Sequence, residues 1–207
     1  MNAYRWFAIS TLIGAGMGCT SAPIRYYTLT PPVDRIASAG DAGLAVEVRV
    51  THMPQPLQHS ELMVRTAPTE MTLLENERWV SPPKEEIKES LRLGLQRRLA
   101  RSAGSSSVYA KLSLELDVRQ LEAQLAQRAW LEVSWRATLI PANPKSTDMR
   151  TVTCTFHAEQ QIKGGYDDIV DGYQRDIAAL ADAIVATLGN LNDATEVACQ
   201  STSPRRG

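Results

Sequence analysis

The sequence lacks an excess of charge of either sign. Its 207 residues include 22 lysines and arginines against 23 aspartates and glutamates, for a formal net charge of −1. Charges of both signs are mixed along the chain, and no arginine-rich arm or basic stripe is present. Binding to the phosphate backbone of a nucleic acid requires such a basic surface. The sequence therefore predicts no nucleic-acid partner.

The common catalytic motifs are also absent. The chain contains no GxSxG elbow, no HExxH pair and no glycine-rich phosphate loop after a strand. Of its three histidines, His157 stands three residues from Cys154 on a predicted strand, so the two side chains point to opposite faces and cannot form a nucleophile–base pair. We therefore predict that the protein is not an enzyme and that it holds no metal.

The only long apolar run lies at the N-terminus. Arg5 precedes about a dozen mostly apolar residues, and the polar segment Thr20–Pro23 follows them. The run is well short of the roughly 20 residues that span a bilayer. A short positive head, an apolar core and small residues at the exit are typical of a secretory signal. We predict a signal peptide over residues 1–18.

Cys19 directly follows that exit, as in bacterial lipoproteins cut before a cysteine and acylated on its thiol. Gly18 suits the position before the cysteine, whereas Gly16 stands where leucine is usual. We predict a covalent lipid on Cys19 and a lipidated tether over residues 19–25. Two alternatives stay open: a permanent transmembrane helix, and a secreted protein in which Cys19 is incidental.

Residues 26–189 read as one domain, followed by a polar tail over residues 190–207. Alternating apolar residues predict strands at Leu44–Val50, Val108–Val118, Leu131–Ile140 and Thr151–Ile162. Two shorter strands are predicted at Leu62–Arg65 and Thr69–Leu74. The last three long strands should form an antiparallel meander, with Gln120–Arg128 as strand ends around a hairpin.

Two amphipathic helices complete the predicted domain. The first has Ser81 as its N-cap and Pro82 at its first position, and its leucines recur every four residues. The second covers Tyr166–Leu188. Each helix and the sheet has one apolar face to bury. This favours an α+β two-layer sandwich with both helices on one side of the sheet. We interpret the acidic residues before and within the first helix as solvated charges: Glu75, Glu77, Glu85 and Glu86.

Cys154 and Cys199 have no CxxC neighbour, so zinc and redox roles are disfavoured. In an exported protein the two could form a disulfide that fastens the tail to a strand, although a buried free thiol at Cys154 is equally compatible with the sequence.

Three further residues are candidates for contact with a partner protein. Trp79 precedes the first helix and could either close the edge of the core or meet a partner. Trp130 lies an odd number of residues from Trp135, so it should face away from the core and be exposed or at an interface. Arg65 could be a surface charge or an interface anchor.

Several segments together resemble one known family. They are Tyr26-Tyr27-Thr28-Leu29 after the cysteine, Val46–Val50 leading into Met53-Pro54, Leu62–Arg65, Leu74–Trp79, and Glu85-Glu86-Ile87 opening a leucine-rich helix. The chain is similar to the PqiC-type auxiliary lipoproteins of ABC-type and MCE-type transport systems over roughly residues 24–188.

The resemblance implies a mixed, mostly antiparallel sheet with helices against it, like the N-terminal domain of TolB. It further implies an outer-membrane lipoprotein that faces the periplasm. Its implied partners are an MCE-domain membrane protein, outer-membrane lipid and other copies of the chain in a ring. The role would be that of a non-catalytic accessory subunit in lipid transport that supports membrane integrity. The alternative is a monomeric periplasmic lipoprotein that itself binds a small ligand or lipid.

Overall fold

The computed structural model describes residues 22–32, 44–102, 109–191 and residue 199. Within these ranges one mixed sheet of seven strands carries two helices. In chain order the elements are β1 (Arg25–Tyr27), β2 (Ala45–His52), a short 3-10 helix (Gln55–Gln58), β3 (Glu61–Ala67), β4 (Glu70–Trp79), α1 (Pro83–Ser102), β5 (Tyr109–Gln124), β6 (Arg128–Pro141), β7 (Arg150–Gln161) and α2 (Tyr166–Asn190). The predicted signal peptide, Cys19 and most of the predicted tail lie outside the described residues.

The sheet combines an antiparallel meander with parallel pairings. Strands β5, β6 and β7 pair antiparallel in sequence, as predicted. Strand β2 runs parallel to the first half of β5, and β3 meets the end of β5 where Arg65 pairs with Gln124. Strand β4 lies between β3 and β1, antiparallel to β3 and parallel to β1, so the strand order is β1-β4-β3-β5-β6-β7 with β2 beside β5. The sheet is therefore mixed, as expected.

The core lies between one face of the sheet and the two helices. Alternate residues of β5 point into it, and Leu112, Leu114 and Leu116 are fully buried. Helix α1 contacts β2, helix α2 contacts β6 and β7, and the helices contact each other. This arrangement confirms the predicted α+β fold with both helices on one face. The other face of the sheet carries mainly polar residues.

Several element boundaries differ from the prediction, among them the start of α1 and the end of β4. Helix α1 begins at Pro83 rather than Pro82, because the Pro82 carbonyl already accepts the N–H groups of Glu85 and Glu86, at 2.8 and 3.1 Å. Strand β4 extends to Trp79, five residues past its predicted end. It does so because its end is paired on both edges: Arg78 pairs with Glu61 of β3 and with Tyr26 of β1.

Candidate functional site

The last residue of the predicted tether, Arg25, already belongs to β1, where the N-terminal segment is attached to the fold. The Arg25 guanidinium donates hydrogen bonds of 2.7 and 3.2 Å to one oxygen of Glu77. The same guanidinium lies 5.8 Å from the ring centre of Tyr27 and 5.7 Å from that of Tyr166, within the range of cation–π attraction. Glu77 is buried, and burial raises the pKa of Tyr27. The inward face of β1 is therefore a packed polar and aromatic contact.

A second buried carboxylate holds the residues just after β1. One oxygen of Glu86, in the first turn of α1, accepts hydrogen bonds from the Thr28 hydroxyl at 2.7 Å and the Leu29 amide at 2.8 Å. Its other oxygen accepts from the Ser81 hydroxyl at 2.6 Å and the Ser81 amide at 3.2 Å. A buried carboxylate is stable only when such donors surround it. Glu86 therefore joins the N-terminal segment to the start of α1.

Both helices contribute to this attachment. Ser90 of α1 donates to the Leu29 carbonyl at 2.8 Å, and Gln174 of α2 donates to the Thr28 carbonyl at 3.0 Å. We refer to Glu77, Glu86, Ser90 and Gln174 together as the N-terminal clamp. The clamp thus attaches the N-terminal segment to strand β4 and to both helices.

The burial of Glu77 and Glu86 corrects the interpretation of these residues as solvated charges. Glu77 is 7% exposed and Glu86 is 5% exposed. Their partners Arg25 and Thr28 lie 52 and 58 residues away along the chain, so no local sequence pattern identifies the pairs. The two other glutamates of that group, Glu75 and Glu85, are exposed as expected.

Trp79 belongs to the core. Its side chain is 7% exposed, and its ring centre lies 6.4 Å from that of Tyr173 on α2. Of the two interpretations of Trp79, the structure supports packing, and contact with a partner is wrong because almost no side-chain surface is available. The neighbouring Val80 is the exposed residue.

Arg65 and Trp130 come together on the face of the sheet opposite the helices. Arg65 donates hydrogen bonds of 2.6 and 2.9 Å to Glu122, and Glu122 is paired with Trp130 across β5 and β6. Trp130 does face away from Trp135, but the expectation that it is exposed is wrong. It is 8% exposed, because the Arg128 guanidinium lies over its ring at 4.8 Å. Arg65 remains partly exposed.

The end of the described chain is attached to the opposite edge of the sheet. Cys154 on β7 and Cys199 form a disulfide with their Cα atoms 5.6 Å apart. Arg150, at the start of β7, also donates a 2.5 Å hydrogen bond to the Leu191 carbonyl just after α2. Of the two states left open for Cys154, the structure contains the bonded one.

A polar cleft of about 520 Å³ lies between the end of β2 and the start of α1. The Thr51 hydroxyl in its wall donates to the Leu116 carbonyl at 2.8 Å and is therefore engaged in the sheet. Within the described ranges, no histidine, cysteine, aspartate or glutamate side chains are grouped to hold a metal ion. The lining residues are Thr51, His52, Met53, Gln55, Gln58, Pro82, Pro83 and Lys84.

None of the described helices is both long enough and apolar enough to cross a membrane. A polar sheet face, an anchored N-terminal segment and buried carboxylates with structural partners are the main features of the site. They attach the N-terminal segment to the rest of the fold.

Comparison with solved structures confirms the fold. Two solved structures have the same fold. One, described as an uncharacterized protein, is 21% identical over 81% of this chain and 99% of its own, with a TM-score of 0.59. The other, from Xanthomonas campestris, is 16% identical over 81% of this chain and 95% of its own, with a TM-score of 0.52. No curated protein matches the chain.

A family model described as the ABC-type transport auxiliary lipoprotein component matches residues 27–185. This match runs from β1 to the last turns of α2 and includes every member of the N-terminal clamp. Because it covers well over half of the 207 residues, the chain belongs to the ABC-type transport auxiliary lipoprotein family.

Proposed function

We propose that this protein is an outer-membrane lipoprotein that serves as a non-catalytic accessory subunit of an MCE/ABC-type system for lipid transport between membranes. The observation that carries the proposal is the family match over residues 27–185. Cys19 at the exit of the predicted signal supports a lipid anchor. Thr20 after it, rather than aspartate, favours the outer membrane if the sorting rule of enteric bacteria applies.

The proposed mechanism is architectural. One acyl chain binds a bilayer only marginally, whereas two or more hold a protein stably. A multiply acylated Cys19 would keep the domain at the leaflet, and residues 20–25 would set its distance at no more than about 3.5 Å per residue. Tethering raises the local concentration of the domain near its membrane-bound partner. The N-terminal clamp would then make the anchored segment rigid with the helix layer.

The expected partner is an MCE-domain protein of the same system, and the expected assembly is a homo-oligomeric ring at the outer-membrane end of its conduit. The polar sheet face around Arg65 is the surface we assign to protein contact. Arg65 already pairs with Glu122, so it would act by presenting an ordered ion pair rather than a free charge. No step requires bond chemistry.

The test is an affinity purification of the tagged lipoprotein from membranes, with Cys19→Ala as the matched control. We expect the native protein to carry fatty acid on Cys19 and to retain an MCE-domain protein. The Cys19→Ala variant should be unacylated and should lose most of that partner. A native N-terminus without fatty acid, or an acylated protein that retains no MCE-domain protein, would contradict the proposal.

The cleft of about 520 Å³ favours a second candidate, in which the monomer binds a small ligand. Its lining includes His52, Lys84 and two glutamines, which suit a polar or anionic molecule better than an acyl chain. Native mass spectrometry of the mature protein distinguishes the two functions. A ring without ligand supports the accessory subunit, and a monomer with a bound small molecule supports the second candidate.

A further inference from the structure

Three exposed apolar side chains lie together where the chain enters the fold. Ile24 is 47% exposed, and Tyr26 and Val80 are each 63% exposed. Ile24 and Tyr26 are two residues apart in an extended segment and so share a face. The Val80 amide donates a 2.8 Å hydrogen bond to the Tyr27 carbonyl, which places Val80 beside β1. We call Ile24, Tyr26 and Val80 the tether-side patch.

The two faces of β1 differ in chemistry. Arg25 and Tyr27 turn inward to the clamp, whereas Ile24 and Tyr26 turn outward. Among the described residues only six large apolar side chains are strongly exposed, and the tether-side patch contains three of them. Folding therefore leaves an apolar surface concentrated at the tether-side patch. Removing this surface from water, by contact with a membrane or a partner, would be favourable.

The position of the patch close to the predicted lipid anchor points to the membrane. Ile24 lies five residues after Cys19 (24 minus 19), so its backbone is at most about 18 Å from the acylated residue. Tyrosine is enriched where protein meets the membrane–water interface, because its ring is apolar and its hydroxyl is polar.

We infer that the tether-side patch contacts the phospholipid headgroup layer in which the acyl chains of Cys19 are embedded. This inference rests on the proposed lipid anchor. A bilayer fits better than a protein, because three side chains are far fewer than the 20–30 residues per partner of a stable protein interface. The contact adds a second attachment point beside the anchor, so the domain holds one orientation on the membrane instead of swinging on its tether.

The test uses dyes attached to single cysteines in the acylated full-length protein on phospholipid vesicles. The probe positions are Tyr26→Cys and Val80→Cys. The matched control is Met149→Cys, because Met149 is 64% exposed and precedes β7, at the opposite end of the strand order from β1. Cys154 and Cys199 are bonded to each other and do not react with the dye.

On vesicles that carry nitroxide-labelled headgroups, dyes at residues 26 and 80 should shift to shorter emission wavelengths and lose most of their intensity. The dye at residue 149 should keep the wavelength and intensity it has in solution. Mass spectrometry of the same samples measures the acylation of Cys19 separately.

Two results would overturn the membrane contact while leaving the anchor intact: equal water exposure at all three positions on acylated, vesicle-bound protein, or protection of 26 and 80 only after an MCE-domain protein is added. A Cys19 without fatty acid would overturn the anchor itself and this inference with it.

Discussion

The two ends of the sheet hold the two ends of the domain in different ways. At β1 the N-terminal segment is held by hydrogen bonds to two buried carboxylates, Glu77 and Glu86, supplied by β4 and α1. At β7 the last residue that the structure describes, Cys199, is held by a covalent bond to Cys154. The first attachment depends on the packing of α1, and a reductant does not break it because it consists of hydrogen bonds. The second depends on oxidation, which suits an exported protein.

The largest expected effect comes from removing the N-terminal attachment. Glu86→Ala leaves the Leu29 amide and two hydroxyls without their buried acceptor. Each buried donor left without its acceptor typically costs about 1–3 kcal/mol of unfolding free energy. Urea denaturation measures the loss.

The adjacent Glu85→Ala is the control for that measurement. Glu85 is exposed and pairs only with Lys88 at 2.7 Å, so its removal should cost less than about 1 kcal/mol. Equal losses from the two variants would show that the clamp does not stabilise the fold.

A buried acid near β7 should give the C-terminal side its own pH dependence. Asp176 of α2 is fully buried and accepts a 2.9 Å hydrogen bond from Gln160 of β7, while its other oxygen has no protein partner. Burial raises the pKa of Asp176 from 3.8 to about 7, with Glu159 adding to the rise and Gln160 and Arg175 opposing it.

Because the pKa of Asp176 is higher in the folded state, the folded protein binds the proton more tightly than the unfolded chain. The resulting stability is fully present below about pH 4 and is lost as pH rises through about 7. The loss is at most about 4 kcal/mol. Asp176→Asn should therefore be more stable than the native protein at pH 8 and close to it at pH 4. Urea denaturation of both proteins between pH 4 and pH 8 measures this difference in unfolding free energy. A difference that stays the same at every pH would contradict the prediction.

Breaking the disulfide should weaken the C-terminal attachment without loosening the N-terminal one. Cys199→Ser opens a covalent loop between residues 45 apart in sequence. A cross-link of this kind contributes about 2–4 kcal/mol. Thermal unfolding with and without reductant measures the effect. Reductant should destabilise the native protein and leave Cys199→Ser unchanged, while hydrogen exchange at Leu29 stays slow in both. Fast exchange at Leu29 in the variant would show that the two ends are coupled.

The smallest expected effect comes from removing one hydrogen bond of the clamp, the bond from the Thr28 hydroxyl to Glu86. Thr28→Val keeps the side-chain shape but loses the 2.7 Å bond to Glu86, which should cost about 1 kcal/mol. Thr28→Ser retains the hydroxyl and should cost less. If serine and valine destabilise the protein equally, the hydroxyl bond contributes nothing.

The same contrast between local and long-range contacts explains what the sequence could predict. Alternation along β5 and β6 and the apolar stripe of α2 are local, and the meander, the helices and the buried face of each follow from them. The clamp depends on contacts between residues more than 50 positions apart. The residues next to Glu77 and Glu86 in the sequence therefore did not indicate that these glutamates are buried. Trp130 shows an intermediate case. Its odd spacing from Trp135 placed it on the correct face, but that spacing does not show that the Arg128 side chain, two residues earlier on β6, lies over its ring.

The clamp also has a consequence for biogenesis. Thr28 finds its partner on α2, Gln174, 146 residues further along the chain. A chain exported from its N-terminus cannot close this contact until nearly all of it has crossed the membrane. The Thr28 carbonyl would thus lack this donor until α2 has emerged, so the attachment of Thr28 to α2 is a late step of folding.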